Sequence, residues 1–475
     1  MNRRKIVLIA LALFWAASLS AKPDRSRQNV DVLRSSIEKV LNSAGANVNV
    51  GMEVVSLKTG EVLYEHNAKN LFVPASTAKL FTCAAIIDRL GGEYQFETKV
   101  LKDSAGNLYL VGAGDPSLNE HDLEELALSV LLQQEKSFEG DLIVDASVFD
   151  LIANGPGWMW DEGDHYWNSP MNSLLVDHSC VDLWVMPTAL KKCPEIYLRA
   201  GADYVFIENR ALTSEEKGEL EVRRSPLVRD NKIEISGILN PNTSPKLYRM
   251  PVEAPHLYTA HLFRQKLLKH TISIGGGMHV GKAPKEAVFI TSHFSQPLAV
   301  LIRKALKDSD NLTANCLFKK LGQEWEGSQG TWQNGSHAVR EFLTRKVGIN
   351  TKELILLDGS GESRYNLASP HQMTQLLVWL SKQFSLAPEI LSALPRNGCD
   401  GTSKSRLDKE MLRGRVRAKN GTMTGISALT GFVEAQEGEV LAMTIMVNGF
   451  TKKAQEIKEE VEDSICQLLI QFKRT

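Results

Sequence analysis

Pro74-Ala75-Ser76-Thr77-Ala78-Lys79 opens a segment in which Leu80, Phe81, Ala84, Ile87 and Leu90 recur on one helical face. Ser76 and Lys79 stand three apart at the predicted helix start, so both side chains point the same way. Ser76 also gains from the positive end of the helix dipole. A hydrolase working through serine needs a nucleophile, a base and donors for the oxyanion. Lysine serves as that base only when its pKa falls, through burial or a second cation. Ser36-Ile37-Glu38-Lys39 and Ser214-Glu215-Glu216-Lys217 share the Ser-x-x-Lys pattern. The first lies within a surface-type helix and the second in an acidic polar loop. Neither has an apolar helix behind it.

Two more strings follow in chain order. Ser309-Asp310-Asn311 precedes Leu312, Ala314, Leu317 and Phe318, a short apolar helix. It reads either as a helix cap or as a hydroxyl and an amide that relay a proton and hold a peptide bond. Lys419-Asn420-Gly421-Thr422 is followed by Gly425 and an apolar strand. It reads either as a glycine turn or as a strand-edge cation with close backbone N–H groups for a carboxylate. Lys419 is also the candidate second cation for Lys79. Lys58-Thr59-Gly60 lies between two apolar runs and is turn chemistry.

The chain has 475 residues, more than one ordinary core, so two or three domains are expected. Hydrophobic content of 43% with 23% charged residues is globular composition. A formal charge of -1 gives no electrostatic case for nucleic acid. Arg3, Arg4 and Lys5 precede the apolar run from Ile6 to Ala17, and small residues lead up to Ala21. This reads as an export signal over residues 1–21 with cleavage near Ala21, placing the mature protein in the periplasm. The run is short against the roughly 20 residues that span a bilayer, which disfavours an uncleaved anchor. Six cysteines are scattered without zinc spacing and form no disulfide framework. Cys83 and Cys316 fall on apolar helical stretches and read as buried. Cys180 and Cys193 are the pair to test first.

Leu33, Ile37, Val40 and Leu41 predict a helix before the first strands, and 48–56 with 61–64 predict a hairpin. Strands are expected over 429–433 and 440–447. Ile457, Val461, Ile465, Leu468 and Phe472 mark a final amphipathic helix. Its mixed polar face favours packing on the sheet and leaves peripheral membrane association open. From about Gln95 to Pro284 the pattern is short strands punctuated by Gly, Pro, Asn and Asp, with one helix near 256–270. These are β-rich modules inserted into a larger domain.

In this order, the three strings resemble the Ser-x-x-Lys, Ser-x-Asn and Lys-Thr-Gly boxes of penicillin-recognising acyl-serine enzymes. The resemblance is to the serine D-Ala-D-Ala carboxypeptidases of the class C low-molecular-mass penicillin-binding proteins, the penicillin-binding protein 4-like group. It runs from about Val48 to the C-terminus. It includes the stretches Val111–Leu118, Gly155–Trp158, Ser292–Leu298 and Asp358–Arg364. The long insert between Ser76 and Ser309 also suits that family. The resemblance implies an α/β transpeptidase/β-lactamase-like domain, an antiparallel sheet flanked by helices, over residues 24–92 and 289–475. It also implies inserted domains over 93–190 with 255–288, and over 191–254.

By the same resemblance Ser76 attacks the penultimate D-alanine carbonyl and Lys79 takes its proton. Ser309 protonates the leaving D-alanine and is linked to Lys419, and Asn311 holds the substrate backbone. The N–H groups of Ser76 and Thr422 form the oxyanion hole. Lys419, Asn420, Gly421 and Thr422 surround the terminal carboxylate. Asp161 falls where relatives read the free amine of a diaminopimelate side chain, and Arg364 at a family arginine near the cleft. Asn420 departs from the family threonine, exchanging a hydroxyl for an amide at a different reach. Asn315 stands where relatives often carry an acid.

The expected activity is removal of terminal D-alanine from peptidoglycan stem peptides, or cleavage of D,D cross-links, with β-lactams as covalent inhibitors. Serine and lysine suffice, so no cofactor is expected. The competing readings are a wall-binding protein that has lost turnover, favoured by Asn420, and a β-lactamase.

Overall fold

The computed structural model describes residues 25–43, 45, 48–162, 165–199, 201, 203–224 and 230–474. The expected export signal lies outside these residues. A five-stranded antiparallel sheet forms the centre. It comprises β1 (Asn49–Ser56), β2 (Val62–His66), β3 (Val416–Met423), β4 (Ile426–Glu434) and β5 (Val440–Asn448), in the order β3-β4-β5-β1-β2. Both chain ends thus contribute, and β1 pairs with β5 from Asn49–Asn448 to Ser56–Leu441.

Strand alternation sends side chains to two separate cores. Ala428, Phe432, Ala442 and Met446 face a helical layer. That layer includes α2 (Lys79–Leu90), α3 (Asn311–Glu326) and α4 (Pro370–Leu380). Leu429, Val433, Met443 and Ile445 face the other side with Leu33 and Ile37 of α1 (Arg25–Ser43) and Ile465 and Leu469 of α5 (Ser464–Gln471). The apolar face of the C-terminal helix is therefore spent on the sheet, with Ile465 and Leu469 fully buried. Among the described residues no helix is long and apolar enough to cross a membrane.

The middle of the chain builds further sheets. Glu97–Lys102, Leu108–Val111, Leu142–Asp145, Met278–Val280 and Val288–Phe294 form a second five-stranded sheet. Cys180–Met186 pairs with Lys246–Pro251 and Glu195–Leu198. Lys232–Leu239 pairs with Leu220–Arg224 and Phe206–Asn209. Pairing thus crosses the expected boundary at residue 190, and the strand opening the expected 289–475 segment lies in the second sheet. The expected helix near 256–270 is Pro255–Lys269. A helix absent from the sequence reading spans Glu120–Leu132, held by an Asn119 capping box with Asp122. Among the described residues all six cysteines are free thiols, Cys180 buried and Cys193 exposed.

Candidate active site

Ser76 lies in a 3-10 turn, Ala75–Ala78, that runs directly into α2. One turn later the Lys79 ammonium donates to Ser76 Oγ at 2.9 Å, Asn311 Oδ1 at 2.7 Å and the Ser360 carbonyl at 2.7 Å. These satisfy all three of its donors. Ser76 is partly exposed and Lys79 completely buried. Burial brings the lysine pKa down to about 8, against the opposing pull of Asp358, Glu362 and Asp310.

Asn311 is the first residue of α3, and Asp310 is its N-cap, accepting from Thr313 N at 2.7 Å. The helix-cap reading of Ser309-Asp310-Asn311 therefore describes Asp310. The middle residue caps while its neighbours face the lysines. Ser309 has φ +61°, a left-handed conformation costly for a side chain with a Cβ. That turn delivers Ser309 Oγ to Lys419 Nζ at 2.9 Å. Lys419 is fully buried and held well below the ordinary lysine pKa, first by burial and then by the Lys79 charge. Of the two routes open in the sequence, burial or a second cation, burial is the one that lowers Lys79.

Lys419 sits on β3, an edge strand. Ala418 N donates away from the sheet to Pro395 O at 3.1 Å, so by alternation Asn420 and Thr422 turn their N–H groups toward the same outer edge. Gly421 makes the close approach possible. A Cβ there would lie 2.9 Å from Pro74 O, Ala75 Cβ and Ser76 N. The β3 edge thus runs close beside the serine amide.

A loop closes the third side. The Asp358 carboxylate accepts from Trp158 Nε1 (2.8 Å), Gly361 N (2.8 Å), Ser363 N (2.7 Å) and Asn366 Nδ2 (2.9 Å). It thereby fixes the Ser360 carbonyl beneath Lys79. Asn315 accepts from Gly359 N at 3.1 Å and braces the same loop. Ser76, Asn311, Glu362, Thr422, His165, Trp167 and Lys453 are among the residues lining a cleft of about 590 Å³.

Ser76, Lys79, Ser309, Asn311, Lys419, Gly421 and Thr422 thus come together. Asn420 is adjacent, but its Oδ1 is taken by Thr402 Oγ1 at 2.5 Å and its carbonyl by Lys419 Nζ at 2.7 Å. Arg364 reaches the Thr424 carbonyl at 3.3 Å and braces the turn after β3. Asp161 is exposed in the short turn Trp160–Glu162 and, among the described residues, is not one of those lining the cleft. The sequence reading gave no role to Ser360, whose backbone carbonyl has no sequence signature. It likewise gave none to Glu362, which accepts from Asn311 Nδ2 at 3.3 Å. Both lie in the quoted stretch Asp358–Arg364, which was the signal available. Among the described residues no cluster of three or more His, Cys, Asp or Glu is arranged to hold a metal ion.

The decoy strings lie elsewhere. Ser36 Oγ donates to the Val32 carbonyl within α1, and Gly60, at φ +75°, turns the hairpin between β1 and β2.

The chain is 32% identical to the D-alanyl-D-alanine carboxypeptidase of Actinomadura sp. (strain R39), over 99% of this chain and 91% of that protein. Its fold is similar to the crystal structure of penicillin binding protein 4 (dacB) from Haemophilus influenzae, with a TM-score of 0.80 and 27% identity. That match covers 90% of this chain and 98% of the other. A structure of the same Haemophilus protein complexed with a β-lactam matches with a TM-score of 0.75 and 25% identity, over 93% and 98% of the two chains. Residues 33–471 match the D-Ala-D-Ala carboxypeptidase 3 (S13) family, and the chain belongs to it.

Proposed function

We propose that this chain is an exported acyl-serine D,D-peptidase that removes terminal D-alanine from peptidoglycan stem peptides and is acylated by β-lactams. The observation that carries the reading is the Ser76–Lys79–Asn311 contact set with Ser309–Lys419 beside it. Ser76 Oγ attacks the penultimate carbonyl and its proton passes to neutral Lys79. Ser76 N and Thr422 N hold the oxyanion. The leaving D-alanine nitrogen takes a proton through Ser309, which Lys419 orients, and water then hydrolyses the ester. Lys419 and the β3 edge receive the substrate carboxylate. The family membership and the relatives' names support the substrate class. The β-lactam complex of the Haemophilus protein supports inhibition.

The same cleft serves as an endopeptidase site if it admits a cross-linked acceptor strand in place of free D-alanine. The basic and apolar residues 1–21 support export. We further read the chain as a catalytic part made from both ends with β-rich inserts between. The test is D-alanine release from a diacylated Lys-D-Ala-D-Ala peptide. Wild-type protein releases D-alanine, and Ser76→Ala or Lys79→Ala loses about a thousandfold or more. Release unchanged in Ser76→Ala refutes the reading.

A further inference from the structure

Asp310 stands between the two residues of its box that face the lysines. One carboxylate oxygen caps α3 through Thr313 N. The other lies 3.3 Å from Nε2 of His178, a residue of the inserted middle region, and both side chains are largely buried. The His178 backbone is itself unusual. Asp177, His178 and Ser179 are three consecutive non-glycine residues with φ of +49°, +60° and +56°. Left-handed runs of this kind are costly and persist only where their surroundings over-determine them. Here Asp177 N donates to Leu118 O, Ser179 N to Val176 O, and Val252 N to Ser179 O. Cys180 Sγ donates to the His178 carbonyl at 3.3 Å.

The strained turn on the insert therefore meets, side chain to side chain, the strained Ser309 turn of the box. The inserted region touches the box a second time, where the Trp167 carbonyl accepts from Asn311 Nδ2 at 3.1 Å.

We propose that His178 is a positioning residue: by holding Asp310 it fixes the turn that aims Ser309 at Lys419 and Asn311 at Lys79, so that the insert completes the alignment of the active site. It touches no reacting atom and acts through Asp310 alone. The inference rests on the acyl-serine reading, and the test separates the two.

Time courses of labelling by a fluorescent penicillin on the full-length protein give a maximal acylation rate and a half-saturating concentration. Wild-type protein that folds but takes no label refutes the acyl-serine reading, and the inference falls with it. With the wild type labelled, His178→Ala lowers the maximal rate about tenfold or more while the half-saturating concentration stays within about twofold. His178→Gln keeps a nitrogen donor at similar reach and recovers most of the lost rate. Acylation of His178→Ala within about twofold of wild type overturns the proposal. So does a folded His178→Gln no faster than His178→Ala, because a merely structural gap is not rescued by a donor.

Discussion

Lys79 spends its three donors on a hydroxyl, a side-chain amide and a backbone carbonyl, yet a base has to be neutral. With its pKa brought down to about 8 by burial, roughly a tenth is neutral at pH 7 and half at pH 8. The acylation rate should therefore climb about fivefold between those values, nearly double again by about pH 9 and then level off. A profile flat from pH 6 to 9 contradicts Lys79 as the base. Gly421 is the second decisive residue. Gly421→Ala forces a methyl against Ser76 N and Pro74 O, pushing β3 off the serine. The expected outcome is a fall in acylation of about a hundredfold at a modest cost in melting temperature. Asn420 presents a carbonyl oxygen locked to Thr402 beside the β3 edge proposed to hold a carboxylate. Asn420→Thr should speed acylation by carboxylate-bearing penicillins several-fold, and an unchanged rate removes Asn420 from carboxylate reception. At this scale the three strings are legible because contiguous side-chain chemistry can be read directly. Ser360 is not, because every residue carries a carbonyl and only the fold selects one.

At the scale of elements, the site depends on how the 3-10 turn before α2, the N-terminus of α3, the edge of β3 and the loop at Asp358 are held together. The loop hangs on one buried carboxylate with four donors aimed at it. Asp358→Asn turns one acceptor into a donor facing N–H groups. It should cost about 1–3 kcal/mol of stability and slow acylation as the Ser360 carbonyl shifts. Denaturant unfolding together with labelling kinetics checks both effects. Helices and strands with long periodic faces were readable: α1, α2, the β1–β2 hairpin and the C-terminal helix lie close to where hydrophobic spacing puts them. Glu120–Leu132 also carries helical spacing through Leu123, Leu126, Ala127 and Val130, but it is set among strand-like segments. The left-handed turns at Ser309 and at 177–179 have no glycine to announce them, since tertiary contacts impose them.

At the scale of the molecule, residues 76, 309, 360 and 419 converge because the sheet is assembled from both ends of the chain around the inserted middle. No local pattern predicts that closure. Chain order and family resemblance made it readable, whereas strand pairing within the insert, which crosses the expected boundary at 190, did not follow from alternation alone. On the endopeptidase reading, the cleft of about 590 Å³ takes an acceptor strand in place of the free D-alanine. Cross-linked D,D dimers should therefore be cut with the same dependence on Ser76 as linear peptides. Cleavage of dimers that survives Ser76→Ala would point to a different centre. The most direct test of the central claim is mass mapping of the full-length protein after incubation with a penicillin. The account predicts one added penicillin per chain, carried by the peptide that contains Ser76 and absent from Ser76→Ala. A folded protein that takes no adduct, or one whose adduct maps to any other residue, contradicts it.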